Sequence, residues 1–162
     1  MADPAPLAPG WAVSRWFNAG DGLSLQALRG RVVFVHAFQM LCPACVQHAV
    51  PQSLKVAAAF ASTDLAVVGL HTVFEHHHAM GPEALQVYLR ENRIGYPVGV
   101  DAHRGGDPEA QPLPLTMQAY AMQGTPTLVL IDRGGRLRRQ VFGLVDDLRL
   151  GAEIATLLAE PA

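Results

Sequence analysis

The stretch from Val32 to His71 constrains the fold more than any other part of the chain. It runs from an apolar segment, through a helical repeat opened by two cysteines, to a second apolar segment. Val32-Val-Phe-Val-His-Ala-Phe38 is apolar at nearly every position, so it reads as a central strand covered on both faces. From Pro43 to about Ala61, the residues Val46, Ala49, Val50, Leu54, Ala57 and Ala58 recur at three- and four-residue spacing, as one face of a helix does. Pro43 suits the first turn, where a missing N–H is harmless, whereas Pro51 predicts a kink inside the helix. Leu65-Ala-Val-Val-Gly-Leu-His71 then completes a β–α–β unit, expected to be parallel and right-handed.

The rest of the chain supplies partners for that unit. Residues 1–12, rich in Pro and Ala, are expected to form a loose lead-in. The Asn18-Ala-Gly-Asp-Gly22 stretch reads as a turn joining two short strands between Trp16 and Leu28. Pro82 to Arg90 predicts a helix closed late by Gly95, and Tyr96 to Val100 a short extended piece. Residues 102–114, with Gly105, Gly106 and three prolines, predict a surface loop, and Leu115 to Met122 a short helix. Thr127–Ile131 and Leu137–Phe142 flank Asp132-Arg-Gly-Gly135, a hairpin signal. Leu148 to Leu158 closes the chain as an amphipathic helix. The order predicts an α/β fold with a mixed central sheet, helices on both faces and an N-terminal strand-pair extension.

Composition narrows the function. The chain has 162 residues, half of them hydrophobic and 16% charged, which fits one domain over 1–162 with a real core. A net charge of −2 without a basic block argues against a nucleic-acid or anionic-membrane partner. No apolar run approaches the roughly 20 residues that span a bilayer. Met-Ala-Asp-Pro-Ala-Pro has neither a positive n-region nor an apolar h-region, so a cytoplasmic location is expected.

The two cysteines are three positions apart, as Cys42-Pro-Ala-Cys45. Such a pair points to redox work or metal binding rather than to a stapled scaffold. Cys42 falls where the strand ends and the helix begins, and the unpaired N–H groups and dipole of a helix start favour a thiolate. Cys45, one turn on, shares that face and is expected to be less exposed. Cys42 would then attack a substrate disulfide, and Cys45 would resolve the mixed disulfide.

Three segments together resemble the thioredoxin-like redoxin family: Gly30 to Phe38, Cys42-Pro-Ala-Cys45, and Gly124-Thr-Pro-Thr-Leu-Val-Leu-Ile-Asp132. Within it they are most similar to the branch of TlpA- and ResA-type thiol–disulfide oxidoreductases and the related AhpC/TSA redoxins, over Trp16 to Leu158. The resemblance implies a thioredoxin-like fold, an antioxidant and disulfide-reducing role, and no bound cofactor. It implies protein or small-molecule disulfides as substrates and an electron-donating reductant as partner. It also implies a cis Pro126 packed beside the cysteines, with Thr125 offering its backbone to an extended substrate segment. The cytosol keeps thiols reduced, so net reduction is the expected direction.

Departures from the family pattern raise further candidates. Leu41 stands where Trp usually precedes the first cysteine. His36 stands where thioredoxin buries an acid that moves protons at the second cysteine, and imidazole could serve there as the base. A core histidine satisfied by a backbone carbonyl is the other reading. Glu75 lies near the position of a functional glutamate in ResA-like proteins. Pro51 comes one residue later than the family's helix-kinking proline, which implies local irregularity.

Two rival functions follow from the same residues. A peroxide reductase of this fold needs Pro-x-x-x-Thr/Ser-x-x-Cys, but Gln39 and Val35 hold those positions before Cys42, and Cys42 and Phe38 hold them before Cys45. A copper- or zinc-binding protein could draw on the cysteines with His71, Glu75, His76, His77 and His78, because thiolate and imidazole suit those ions. Copper-delivery relatives, however, place three residues between their cysteines, and no second cysteine pair exists here.

Overall fold

A strand that is apolar on both faces must be covered on both, and Val32–Phe38 is: all seven of its residues are buried. In the computed structural model, which describes residues 5–161, the strands are β1 (Val13–Phe17), β2 (Val32–Phe38), β3 (Leu65–His71), β4 (Val98–Asp101), β5 (Thr127–Ile131) and β6 (Leu137–Phe142). The helices are α1 (Val50–Ala59), α2 (Pro82–Glu91), α3 (Leu115–Ala119) and α4 (Asp147–Ala159). The six strands form one mixed sheet in the order β1-β4-β3-β2-β5-β6. β2 pairs parallel with β3 and antiparallel with β5, and β4 runs parallel to β3.

Alternation along β2 divides the core. Val33, Val35 and Ala37 face a cluster containing Met117, Tyr120, Leu25 and Leu28. Val32 and Phe34 pack with Val56 of α1 and with Leu150, Ile154 and Leu157 of α4. Phe38 extends that side toward Leu85 and Leu89 of α2, in the cluster that also holds Cys45. Full burial of a side chain of this size stabilises by roughly 1.5–3 kcal/mol. The second cysteine is therefore seated in a wall of the core.

Several local expectations are corrected. The N-terminal extension supplies one strand and a short 3-10 turn, Gln26–Leu28, in place of a strand pair. β1 pairs antiparallel with β4 at the sheet edge, and the turn drives Leu28 into the core. Residues 5–12 are not loose. Ala8 N–H donates to Gly135 O at 2.9 Å, Leu137 N–H to Pro6 O at 2.8 Å, and the Tyr120 hydroxyl to Pro9 O at 2.6 Å. The first four residues of the expected lead-in lie outside the described residues.

The helix carrying the cysteines is not continuously α. It starts at Pro43, widens to a π turn over Cys45–Ala49, and continues as α1. Pro51 has no N–H for the Gln47 carbonyl and its ring would collide there, so a widened turn upstream relieves both faults. The residue that ends α2 in the left-handed region is Arg93 (φ 54°), not Gly95, with Ile94 N–H closing onto Leu89 O at 2.9 Å. The third helix is shorter than expected because Ala121 (φ 48°) turns the chain away.

Candidate active site

Topology brings three loops to one edge of the sheet. The carboxyl ends of parallel β2 and β3 point the same way, and antiparallel β5 begins beside them. The segments that meet there are Gln39–Cys42, Thr72–His78 and Gly124–Pro126.

Cys42 occupies the residue before the helix that starts at Pro43. Its Sγ accepts the Cys45 N–H at 3.3 Å, as an N-cap side chain does. The thiol also donates to Thr125 O at 3.6 Å, and Cys42 N–H donates to Gln39 O at 3.1 Å. Both cysteines are free thiols, Cys42 partly exposed and Cys45 at 0% exposure. Burial pushes the Cys45 thiol up to about 12, a hydrogen bond with Cys42 adds to this, and the Gln39 backbone and Thr125 side chain oppose it. The outer sulfur can meet a substrate, while the inner one stays protonated and sealed until it is needed.

The Thr125–Pro126 peptide is cis, with Pro126 buried and Thr125 half-buried beside Cys42. Glu75 is exposed and belongs to the same edge, where its Oε1 accepts from Gln39 Nε2 at 3.4 Å. His36 is elsewhere. It is buried one strand-repeat below Phe38, with its Nε2 2.8 Å from the Tyr96 hydroxyl and its ring stacked on Phe38 at 5.0 Å. Burial lowers its pKa to about 3, and neither cysteine is among its hydrogen-bond partners. Its polar contact is a tyrosine hydroxyl rather than the backbone carbonyl considered for a core histidine.

Three residues at this edge carry contacts that no sequence motif announced. Gln39, at 1% exposure, touches all three loops. Its position as an amide directly after an apolar strand was the available signal, since a buried amide must find partners. Tyr88 packs in the cysteine cluster with its hydroxyl unpaired, and burial and then the two cysteines push that phenol up. His71 accepts the Met40 N–H at 3.2 Å on Nε2 and so steadies the approach to Cys42.

The histidine-rich stretch does not join the cysteines into a metal site. His77 sits edge-on to His103 at 5.3 Å, and His71 is committed to Met40. Among the described residues no three His, Cys, Asp or Glu side chains are grouped to hold a metal ion.

Comparison with solved structures places the chain. It matches the thioredoxin-like superfamily protein SPOA0173 at 53% identity and a TM-score of 0.91, covering 98% of this chain and 99% of that one. It matches a thiol-disulfide isomerase from Corynebacterium glutamicum at 47% identity and a TM-score of 0.89, covering 99% and 100%. A thioredoxin-like protein solved in its oxidized form, 20% identical with a TM-score of 0.76 over 98% and 97% of the two chains, shares the fold. No protein-family model and no curated protein matches the chain.

Proposed function

The chain belongs to the thioredoxin-like superfamily, and on that premise we propose that it is a thiol–disulfide oxidoreductase whose working dithiol is Cys42 and Cys45. One observation carries the assignment: a partly exposed Cys42 sulfur accepts the Cys45 N–H at 3.3 Å while Cys45 lies fully buried behind it. In the first step the Cys42 thiolate attacks a substrate disulfide. A Cys42–substrate S–S bond forms, the substrate S–S bond breaks, and one substrate sulfur leaves as thiolate. Cys45 then gives up its proton and attacks Cys42 Sγ. The Cys42–Cys45 bond forms, the mixed disulfide breaks, and the second substrate sulfur leaves with its electron pair. The substrate gains two electrons and two protons, which an external reductant restores to the protein. The Thr125 backbone beside Cys42 supports an extended disulfide-bearing segment as substrate, and small disulfides would use the same sulfur.

Net reduction is the direction we assign, in a cytoplasmic setting where the glutathione poise is reducing. A peroxide-reductase reading has no support at the position that would need a hydroxyl. Gln39 stands there with its amide already engaged.

The test is the redox equilibrium of the pair in glutathione buffers, with Cys42→Ser as control. A reversible two-electron couple lower than about −230 mV is expected, since thioredoxin lies near −270 mV. A couple near −120 mV would reverse the assigned direction. Failure to form the intramolecular disulfide at any poise would overturn the dithiol assignment.

A further inference from the structure

Gln39 leaves the end of β2 as the only buried side-chain amide among the described residues. Three contacts tie it to the attacking sulfur and to Thr125 in a closed circuit. Its backbone oxygen takes the Cys42 N–H at 3.1 Å. The Cys42 thiol donates to Thr125 O at 3.6 Å, and the Thr125 hydroxyl oxygen accepts from Gln39 Nε2 at 3.4 Å. Two further bonds keep the amide from swinging. Its Oε1 accepts the Phe74 N–H at 3.2 Å, and its Nε2 also donates to Glu75 Oε1 at 3.4 Å. A flipped amide would set NH2 against a backbone N–H and its oxygen against a carboxylate, so these partners fix its orientation.

The Thr125 peptide edge is open beside that sulfur. Among the described residues neither its N–H nor its carbonyl has a backbone partner, and the one hydrogen bond the carbonyl accepts comes from the Cys42 thiol. The next residue is already committed, because Pro126 has no N–H and its oxygen takes the Gly143 N–H at 2.8 Å. An extended segment can add to an open edge through main-chain hydrogen bonds, which hold well only within about 2.7–3.2 Å. The distance from that edge to the Cys42 sulfur therefore decides whether a segment can pair with Thr125 and present its disulfide at the same time. We propose that Gln39 is a positioning residue for substrate selection: by holding the Thr125 hydroxyl it fixes the Thr125 edge against Cys42, and so favours disulfides carried in an extended peptide over small disulfides, which need only the sulfur. Methionine in place of Gln39 would fill the space and leave Thr125 without its donor.

This inference deepens the dithiol assignment and rests on it, and the experiment separates the two. The reduced protein is mixed with either of two mixed disulfides of thionitrobenzoate, one with N-acetylcysteine amide and one with a short uncharged peptide whose cysteine is central. In both, the Cys42 thiolate attacks the cysteine sulfur and forms an S–S bond with it. Thionitrobenzoate leaves with the electron pair of the broken bond and is read by its absorbance in a stopped-flow instrument. Wild type is expected to react about tenfold or more faster with the peptide, the rate equivalent of one or two backbone hydrogen bonds. N-methylation of the residues flanking the peptide cysteine should erase that preference. Gln39→Met should lower the peptide preference about fivefold to tenfold. Thr125→Val should do the same, the double variant should lose no more than either single one, and Thr125→Ser, which keeps the hydroxyl, should retain the preference. Thr125→Val carries the test if the methionine variant does not fold. Release that runs undiminished in Cys42→Ser would sink the dithiol assignment itself. No peptide preference in wild type, or one that N-methylation leaves intact, would remove the extended-segment reading and this proposal with it. A preference that survives in Gln39→Met, as it would if both substrates slowed alike, or effects that multiply in the double variant, would overturn this proposal alone.

Discussion

The Tyr96 hydroxyl lies 2.8 Å from Nε2 of His36, inside the sheet face that supports the cysteine pair. The contact satisfies one ring nitrogen and leaves Nδ1 without a partner, as it also is in His71. Burial lowers His36 to about 3 and His71 to about 4, against an ordinary value of 6.5. The unfolded chain therefore binds protons that the folded chain refuses. Stability is complete above pH 6.5 and declines as pH falls from 6.5 toward 4, by about 1.4 kcal/mol per pH unit for each histidine once it is charged in the unfolded state. Urea titrations between pH 7 and 5, where most carboxylates stay ionised, should show this loss, and His36→Phe should remove about half of it, leaving the His71 share, while lowering the plateau. A wild-type midpoint constant over that range would refute the buried-neutral assignment.

Gly69 supplies the room for this arrangement. A Cβ there would stand 3.0 Å from Val98 Cγ2, 3.1 Å from His36 Nε2 and 3.3 Å from Phe38 Cε1. None of these is a flexible side-chain end, and a close-packed core gives way only at a cost. Gly69→Ala is expected to destabilise by about 1–3 kcal/mol, the usual range for overpacking, against a gain in strand propensity below about 1 kcal/mol. Denaturant unfolding measures the net effect, and a variant as stable as wild type would show that the strand shifts freely.

Asp101 closes the carboxyl-end margin of β3 and β4. Its carboxylate accepts the Thr72 hydroxyl at 2.9 Å and the Thr116 and Met117 N–H groups at 2.8 and 3.0 Å, so it caps α3 from a distance. Burial pushes the carboxyl up, and these bonds work against that. Asp101→Asn replaces one accepting oxygen with a donor facing donors, which should cost about 2–3 kcal/mol, near the value of hydrogen bonds to a charged acceptor. Thermal unfolding at pH 7 reads the cost. A melting temperature within a degree of wild type would mean that the network re-forms around the amide.

Much of this was legible in the residues, for identifiable reasons. The apolar runs of β2 and β3 leave one option, burial on both faces, and the Cys-Pro-Ala-Cys pair at the junction placed the site at the end of β2. What stayed hidden depended on partners distant in the chain. Residues 5–12 look loose because their hydrogen bonds go to Tyr120, Gly135 and Leu137, more than a hundred positions away. His36 invited comparison with an acid near the second cysteine, and nothing local reveals that Tyr96 claims it. Gln39 drew notice only for lacking a hydroxyl, because its meaning lies in Phe74, Glu75 and Thr125 arriving together. The π turn was foreshadowed by Pro51, whose ring and missing N–H are local facts.

The inequality between the cysteines gives a chemical test of the site as a whole. Cys42 is partly exposed, whereas Cys45 has no exposed surface and burial pushes its thiol up to about 12. Alkylation needs both access and thiolate, and Cys45 is short of each at neutral pH. Brief treatment of the reduced native protein with iodoacetamide at pH 7.5 is expected to add one carboxamidomethyl group, located at Cys42 by peptide mass spectrometry. The same treatment in denaturant should add two. The Cys42→Ser protein should remain unmodified under native conditions, because the serine hydroxyl covers Cys45 as the thiol did. Equal labelling of both cysteines in the native protein would mean that the inner thiol is open to solvent, and the division of labour between attacking and resolving sulfur would then have no structural basis.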